Sequence, residues 1–160
     1  MPKRIVILGG GYAGVLTAKK LAKSLKKREV EITLVDKNPF HTLLTELHEV
    51  AADRVEEDAV KVPFEKIFAG RKVRVAQDTV VNVDMEEKKL RGQRESYPYD
   101  FLVLASGSRP AYFGVDGAQN NALPLWSYED AVRVRDRIRE CFRQAVTLTD
   151  PDKRREKLTF

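Results

Sequence analysis

Cysteine is nearly missing from these 160 residues: Cys141 stands alone. A lone cysteine excludes an internal disulfide and any multi-cysteine metal site. Histidine is almost as scarce, with His41 and His48 the pair. Two imidazoles without further ligands at metal spacing make a poor site, so no metal is expected. Long apolar runs are absent as well. Nothing approaches the roughly 18–20 residues that a membrane helix needs. The short run Ile5-Val6-Ile7-Leu8 passes straight into glycines, which does not suit the apolar core of a signal peptide. These absences point to the cytoplasm. There is no internal repeat and no low-complexity segment. What remains is ordinary for one globular domain with a real core: 42% hydrophobic and 33% charged residues.

The formal net charge of +5 raises the question of a nucleic-acid or anionic-membrane partner. The basic residues gather at Lys19, Lys20, Lys23, Lys26, Lys27 and Arg28, and at Arg133, Arg135, Arg137 and Arg139. Both sets fall on predicted helices, mostly away from the apolar stripes, and read as solvated faces. No nucleic-acid partner is expected. A weak attraction to an acidic membrane surface is the remaining alternative.

The chain is most informative at Gly9-Gly10-Gly11-Tyr12-Ala13-Gly14, directly after Ile5–Leu8. Glycines at positions 9, 11 and 14 satisfy G-x-G-x-x-G between a predicted strand and a predicted helix. A second apolar run, Glu31 to Val35, ends in Asp36, about 20 residues further on. This is the fingerprint of a dinucleotide site. Gly9 permits the tight turn, Gly11 leaves room for a pyrophosphate, and Gly14 lets the helix pack on the strand. The free N–H groups at the helix start face the phosphates, and Asp36 accepts from the ribose hydroxyls.

The spacing predicts a buried parallel strand over 4–8, a helix from Tyr12 to about Lys27, and a strand over 30–35. Residues 42–52 read as helix or loop plus helix. Pro63 opens a short helix carrying Phe64, Ile67 and Phe68, closed by Gly70. Strands are predicted over 72–76, 80–83, 88–91, 95–99 and 100–104. The second, third and fourth of these are separated by polar turns and form a small antiparallel meander, about 80–99. Residues 109–126 read as a loop. Ser127 and Asp130 form a capping box for a last helix, whose apolar stripe is Ala131, Val134, Ile138, Cys141, Phe142 and Ala145. Residues 150–156 read as a polar linker, and 157–160 as the opening of a strand.

A meander between the nucleotide-binding half and a later buried strand resembles the FAD domains of the two-dinucleotide flavoprotein superfamily. Leu104-Ala105-Ser106-Gly107-Ser108 resembles that superfamily's A-T-G turn, with Ser106 where Thr is usual. The segment Asn38-Pro39-Phe40-His41-Thr42-Leu43-Leu44-Thr45-Glu46-Leu47-His48-Glu49-Val50-Ala51 is similar to the stretch after the ribose-binding acid in type II NADH:quinone oxidoreductases. Tyr99 to Ser108 and Phe113-Gly114-Val115-Asp116-Gly117 are similar to that family too. The likeness spans essentially the whole chain.

This resemblance implies an α/β, Rossmann-like parallel sheet with crossover helices plus the meander. It also implies an FAD-dependent enzyme that oxidises NADH and passes electrons to a membrane quinone. Gly9, Gly10, Gly11, Tyr12, Ala13 and Gly14 would meet the FAD pyrophosphate, Asp36 the adenosine ribose, and Lys37 would flank the adenosine. Thr42, Leu43 and Leu44 would lie near the isoalloxazine. Val81 would offer backbone contacts to the adenine, and Ala105, Ser106 and Gly107 would line the dinucleotide. No catalytic residue is assigned.

The expected organisation is an FAD domain over 1–125, a helix leading away over 126–149, and a linker with the first strand of an NADH domain over 150–160. Against the family layout, this amounts to roughly the first two-fifths of a member. Hydride transfer by this piece alone is not expected. NADH and quinone would engage regions beyond it, peripheral membrane attachment on the cytoplasmic face would belong to the parent, and the piece itself is expected to self-associate, as in a homodimer.

Other readings stay open: a sulfide:quinone or ferredoxin reductase type of the same superfamily, or a non-catalytic dinucleotide-binding module. The absence of Cys near 40–50 argues against a disulfide reductase. His48 with Glu46 and Glu49 reads as a hydrogen-bonded cluster or a proton site at the quinone. Cys141 reads as a small buried hydrophobe, and Trp126 as a helix-start staple or core residue.

Overall fold

The structure is a computed structural model and describes residues 1–25 and 29–159. In chain order its elements are β1 (Lys3–Leu8), α1 (Tyr12–Ser24), β2 (Val30–Asp36), β3 (Phe40–Thr42), α2 (Leu47–Ala51), β4 (Lys61–Pro63), α3 (Phe64–Ile67), β5 (Val73–Gln77), β6 (Val80–Asp84), β7 (Lys89–Gly92), β8 (Ser96–Pro98), β9 (Phe101–Leu104), α4 (Ala118–Asn121), α5 (Tyr128–Thr147) and α6 (Pro151–Lys157). They form two compact units, 1–42 with 61–108, and 43–60 with 109–160. This partition cuts the chain differently from the expected boundary at 125, because residues 43–60 group with α5.

In the first unit a parallel sheet runs β5-β2-β1-β9. Alternation along the central strands sends side chains to opposite faces. Ile5, Ile7, Ile32 and Leu34 pack with Val15 and Ala18 of α1 and with Phe64 and Phe68. Val6, Val35 and Ala76 turn the other way and pack with Leu90, Tyr97 and Tyr99. The antiparallel sheet β6-β7-β8 is the expected meander, and it covers that second face. The α/β class and the parallel sheet are as the sequence implies.

Register positions the site. Leu8 pairs with Val35 on one side and Leu104 on the other. One step on, Gly9, Asp36 and Ala105 therefore emerge together at the carboxyl edge of the sheet, where ligands of open α/β sheets bind.

The second unit is helical. Leu47, Val50 and Ala51 of α2 pack with Val60 and Ala131. Arg135, expected on a solvated face, is instead largely covered and donates to Glu57 at 2.6 Å, while Arg139 stays exposed and pairs with Asp53 within this unit. Tyr128 also donates to Glu57. Cys141 is buried, as expected.

Several expectations are corrected. The first helix ends at Ser24, and Leu25 is already extended; the expected end at Lys27 lies outside the described residues. Of the two readings of residues 42–52, loop plus helix holds and a single helix does not. Phe40–Thr42 pairs antiparallel with Lys61–Pro63, then comes a 3₁₀ turn over Leu44–Glu46, and only then α2. The expected linker over 150–156 is α6. Asp150 caps it through the N–H groups of Asp152 and Lys153, Pro151 opens it, and Arg154, Arg155 and Lys157 end it. Lys157 is helical rather than the start of a strand, and Phe160 lies outside the described residues. Phe142 and Trp126 are about half exposed, not core.

Candidate functional site

The glycines of the motif, in the turn between β1 and α1 and on the first turn of α1, are under different constraints. Gly9 sits at φ +102°, a conformation that L side chains rarely adopt. A Cβ there would stand 2.8 Å from the Ala105 carbonyl carbon and closer still to its oxygen. Gly14 is buried on α1, and its Cβ would lie 3.0 Å from the Gly9 carbonyl carbon and closer to that oxygen. Gly11 is the opposite case: among the described residues nothing lies within 4 Å of a Cβ placed on it. Gly9 and Gly14 close the turn on itself and on Ala105. Gly11 opens it outward.

Gly11 is also the N-cap of α1, and no side chain caps this helix among the described residues. Its first turn holds no acid. The chain's other long helix is treated differently. Ser127 accepts from Asp130 N–H at α5, in the expected capping box. An uncapped helix start leaves its first N–H groups without intrahelical partners and its positive end open. Gly11, Tyr12 and Ala13 are exposed there. Chemically this is a cluster of N–H donors for an anion, and it suits a phosphate.

The neighbours that the sequence proposes are brought to it. Asp36 accepts from Gly10 N–H at 2.6 Å and from Asn38 N–H at 2.8 Å. A carboxylate has about four lone-pair directions, so acceptor capacity remains for a diol. Ala105 N–H donates to Leu8 at 2.8 Å, which draws the Ala105-Ser106-Gly107 turn against Gly9. Gly107 lies at φ +76°. Lys37 is exposed beyond Asp36, and its carbonyl accepts from Gln77. Val81 is the extra residue of a bulge between Val80 and Asn82, without a partner residue across the β6–β7 ladder. Thr42 ends β3 in this same unit. Leu43 and Leu44 belong to the other unit, where Leu43 N–H donates to Val60.

Two residues that spacing did not single out for this site hold Gly10. His41 is 6% exposed, and its Nδ1 lies 2.9 Å from the Gly10 oxygen. Phe64 is 1% exposed, and its ring lies where a Gly10 side chain would be, 2.7 Å from the Cε1 atom and closer to Cζ. The motif's variable second position is thus as constrained as its fixed ones. Gly10→Ala is expected to destabilise the chain by about 2 kcal/mol. Phe64→Leu in the same chain should recover part of that loss. Urea unfolding of the single and double variants checks it; strictly additive losses would show that the methyl never meets the ring. His48 pairs with Glu49 at 3.2 Å on the surface, where Arg54 also meets Glu49; Glu46, the other acid of the expected cluster, accepts from Thr45 instead. Among the described residues no group of His, Cys, Asp and Glu could hold a metal.

The profile of the family described as pyridine nucleotide-disulphide oxidoreductase matches residues 3–148. The chain belongs to the pyridine nucleotide-disulphide oxidoreductase family. Within reach of this family, a type II NADH:quinone oxidoreductase of Staphylococcus aureus (strain NCTC 8325 / PS 47) is 36% identical over 123 residues, which is 77% of this chain and 31% of that protein. The chain therefore spans about a third of the length of the curated relatives it matches. Among solved structures, NDH2 from Plasmodium falciparum in complex with NADH superposes with a TM-score of 0.79 at 15% identity, over 96% of this chain and 32% of that one. The sulfide:quinone oxidoreductase of Aquifex aeolicus gives 0.74 at 22% identity, over 88% and 32%. The sequence resemblance to type II NADH:quinone oxidoreductases is borne out by the first of these, and the α/β fold with its parallel sheet by the other two. No described helix is long and apolar enough to cross a membrane.

Proposed function

We propose that this chain is the FAD-binding part of a flavin-dependent NADH dehydrogenase that delivers electrons to a membrane quinone. The observation that carries the reading is the uncapped start of α1, open at Gly11 and flanked by Asp36 and the Ala105–Gly107 turn. Gly11, Tyr12 and Ala13 would hold the pyrophosphate, with Gly9, Gly10 and Gly14 shaping the turn. Asp36 would accept from the adenosine ribose, with Lys37 beside it. The bulge at Val81 leaves its backbone groups for the adenine. Ala105, Ser106 and Gly107 would line the dinucleotide, and Thr42 the flavin end. Bound flavin supplies the two-electron redox chemistry; this chain's residues bind and orient it. NADH and quinone as substrates are in keeping with the name of the Staphylococcus aureus relative, of which this chain spans 31%; membrane attachment on the cytoplasmic face is part of the same proposal.

The test uses colour and one substitution. Purified protein, reconstituted with FAD, is expected to absorb at flavin wavelengths and to release FAD on denaturation. Gly11→Val should keep the folding stability within about 0.5–1 kcal/mol, because open space surrounds the position, and should weaken FAD binding at least about a hundredfold. Unchanged affinity in that variant, or reconstitution with NAD but not FAD, would overturn the proposal.

A further inference from the structure

We infer that His41 is a positioning residue: by holding the Gly10 carbonyl it aims the Gly11 amide at the dinucleotide phosphates. The inference rests on the flavin reading for its ligand and on geometry for its mechanism. A carbonyl oxygen only accepts, so at 2.9 Å His41 Nδ1 carries the proton and donates to Gly10. The Gly10 carbonyl and the Gly11 N–H are two ends of one peptide unit. Among the described residues every peptide is trans, so these two bonds point in opposite directions. Anchoring the oxygen inward at a buried imidazole turns the N–H outward, to the side where Gly11 is open.

The imidazole is itself fixed. His41 pairs with Val62 in the β3–β4 ladder, and its ring meets the Tyr12 ring edge-on at 4.7 Å and 88°. Tyr12 is the first residue of α1, so the same side chain touches both the turn and the helix start. On the other side of Gly10, Asp36 takes the N–H at 2.6 Å and the Phe64 ring blocks the Cα face. Gly10 therefore has its donor, its acceptor and its free face all engaged. Without His41 the Gly10 carbonyl would be buried and unpaired. That orphan would favour rotation of the peptide toward water, which would carry the Gly11 N–H inward.

His41→Leu keeps volume and removes the donor. His41→Asn places an amide nitrogen one bond from Cγ, as Nδ1 is, and restores it. FAD titrations of the whole chain are expected to show about tenfold weaker binding for His41→Leu and recovery to within about threefold for His41→Asn. The ligand-free proteins give a second readout. The Gly11 amide resonance in ¹H–¹⁵N spectra should move in His41→Leu and stay near its place in His41→Asn. A role in packing alone would weaken both variants equally and leave that resonance unmoved, which would overturn the inference. So would wild-type affinity in His41→Leu. If the unaltered chain takes up no FAD, the flavin reading fails, and the Gly11 resonance alone decides whether His41 orients the turn.

Discussion

Gly14→Ala is expected to cost about 3 kcal/mol of folding stability, although alanine is the better helix former. The two effects oppose one another, and magnitudes decide. Inside a helix, alanine is favoured over glycine by about 1 kcal/mol. At Gly14 the new methyl would meet the Gly9 carbonyl, a backbone group fixed on both sides. Gly9 N–H donates to Val35 at 2.8 Å, and the Gly9 Cα faces the Ala105 carbonyl. Neither can give without pulling α1 off Ile5 and Ile7 of the sheet. Clash therefore outweighs propensity, and the loss is a large part of the roughly 5–15 kcal/mol that holds a domain together. Urea unfolding measures it directly. A midpoint equal to or above that of the unaltered chain would mean that helix and strand do not approach as closely as the structure has them. Gly11→Ala is the internal control: the same substitution, on the same turn, with nothing to strike.

That contrast was readable from spacing, because the motif assigns each glycine a distance to something else. Asp36 and Ala105 were readable for a similar reason: each ends an apolar run, and parallel strands of equal reach deliver their ends to one edge. What spacing missed was held by contacts without a period. Phe40–Thr42 and Lys61–Pro63 are three-residue strands nineteen or more positions apart, too short for alternation to register. His41 and Phe64 reach Gly10 only because that pairing exists, since one lies on β3 and the other directly follows β4. α6 is a different kind of miss. Asp150-Pro151 followed by basic residues is a helix signature, but the stretch carries no apolar stripe for periodicity to register. Such a helix is carried by its cap and its dipole rather than by an apolar face. The exposed ring of Phe142 shows the converse error, since a hydrophobic residue at helical spacing need not be covered.

Asp78→Asn is expected to loosen the meander at neutral pH and to remove one arm of its pH dependence. Asp78 is 4% exposed, between β5 and β6. Its carboxylate accepts from the N–H groups of Gln93, Arg94 and Glu95 and from the Tyr97 hydroxyl at 2.9 Å. The chain passes so close that a Cβ on Gly92 would stand 2.5 Å from the carboxyl carbon. Burial pushes the Asp78 pKa up, but the hydrogen bonds from Glu95, Tyr97 and Arg94 together outweigh it, and the folded value lies below the ordinary 3.8. Burial and then the bond to Asp78 push Tyr97 the other way, from 10.0 up to about 12. The signs follow by linkage. A depressed carboxylate contributes stability that is present above 3.8 and is lost as the pH falls toward the folded value. A raised tyrosine contributes stability that is present below 10.0 and is lost as the pH climbs to about 12. One pair thus bounds the meander on both sides. In Asp78→Asn an amide faces three N–H donors with a single acceptor oxygen. Amide exchange at Leu90 and Tyr97 should then speed up about a hundredfold at neutral pH. Tyr97→Phe should flatten the alkaline arm and also shrink the acid one, by the share of the Asp78 depression that the Tyr97 hydroxyl supplies, with the Glu95 and Arg94 N–H groups keeping the rest. The test is the difference between variant and unaltered chain across the pH range, which cancels the other carboxylates, Asp84, Asp100 and Glu140 among them, whose values are also lowered. Identical acid arms in Asp78→Asn and the unaltered chain would remove Asp78 from this role and leave the closing of the meander to its apolar residues Leu90, Tyr97 and Tyr99.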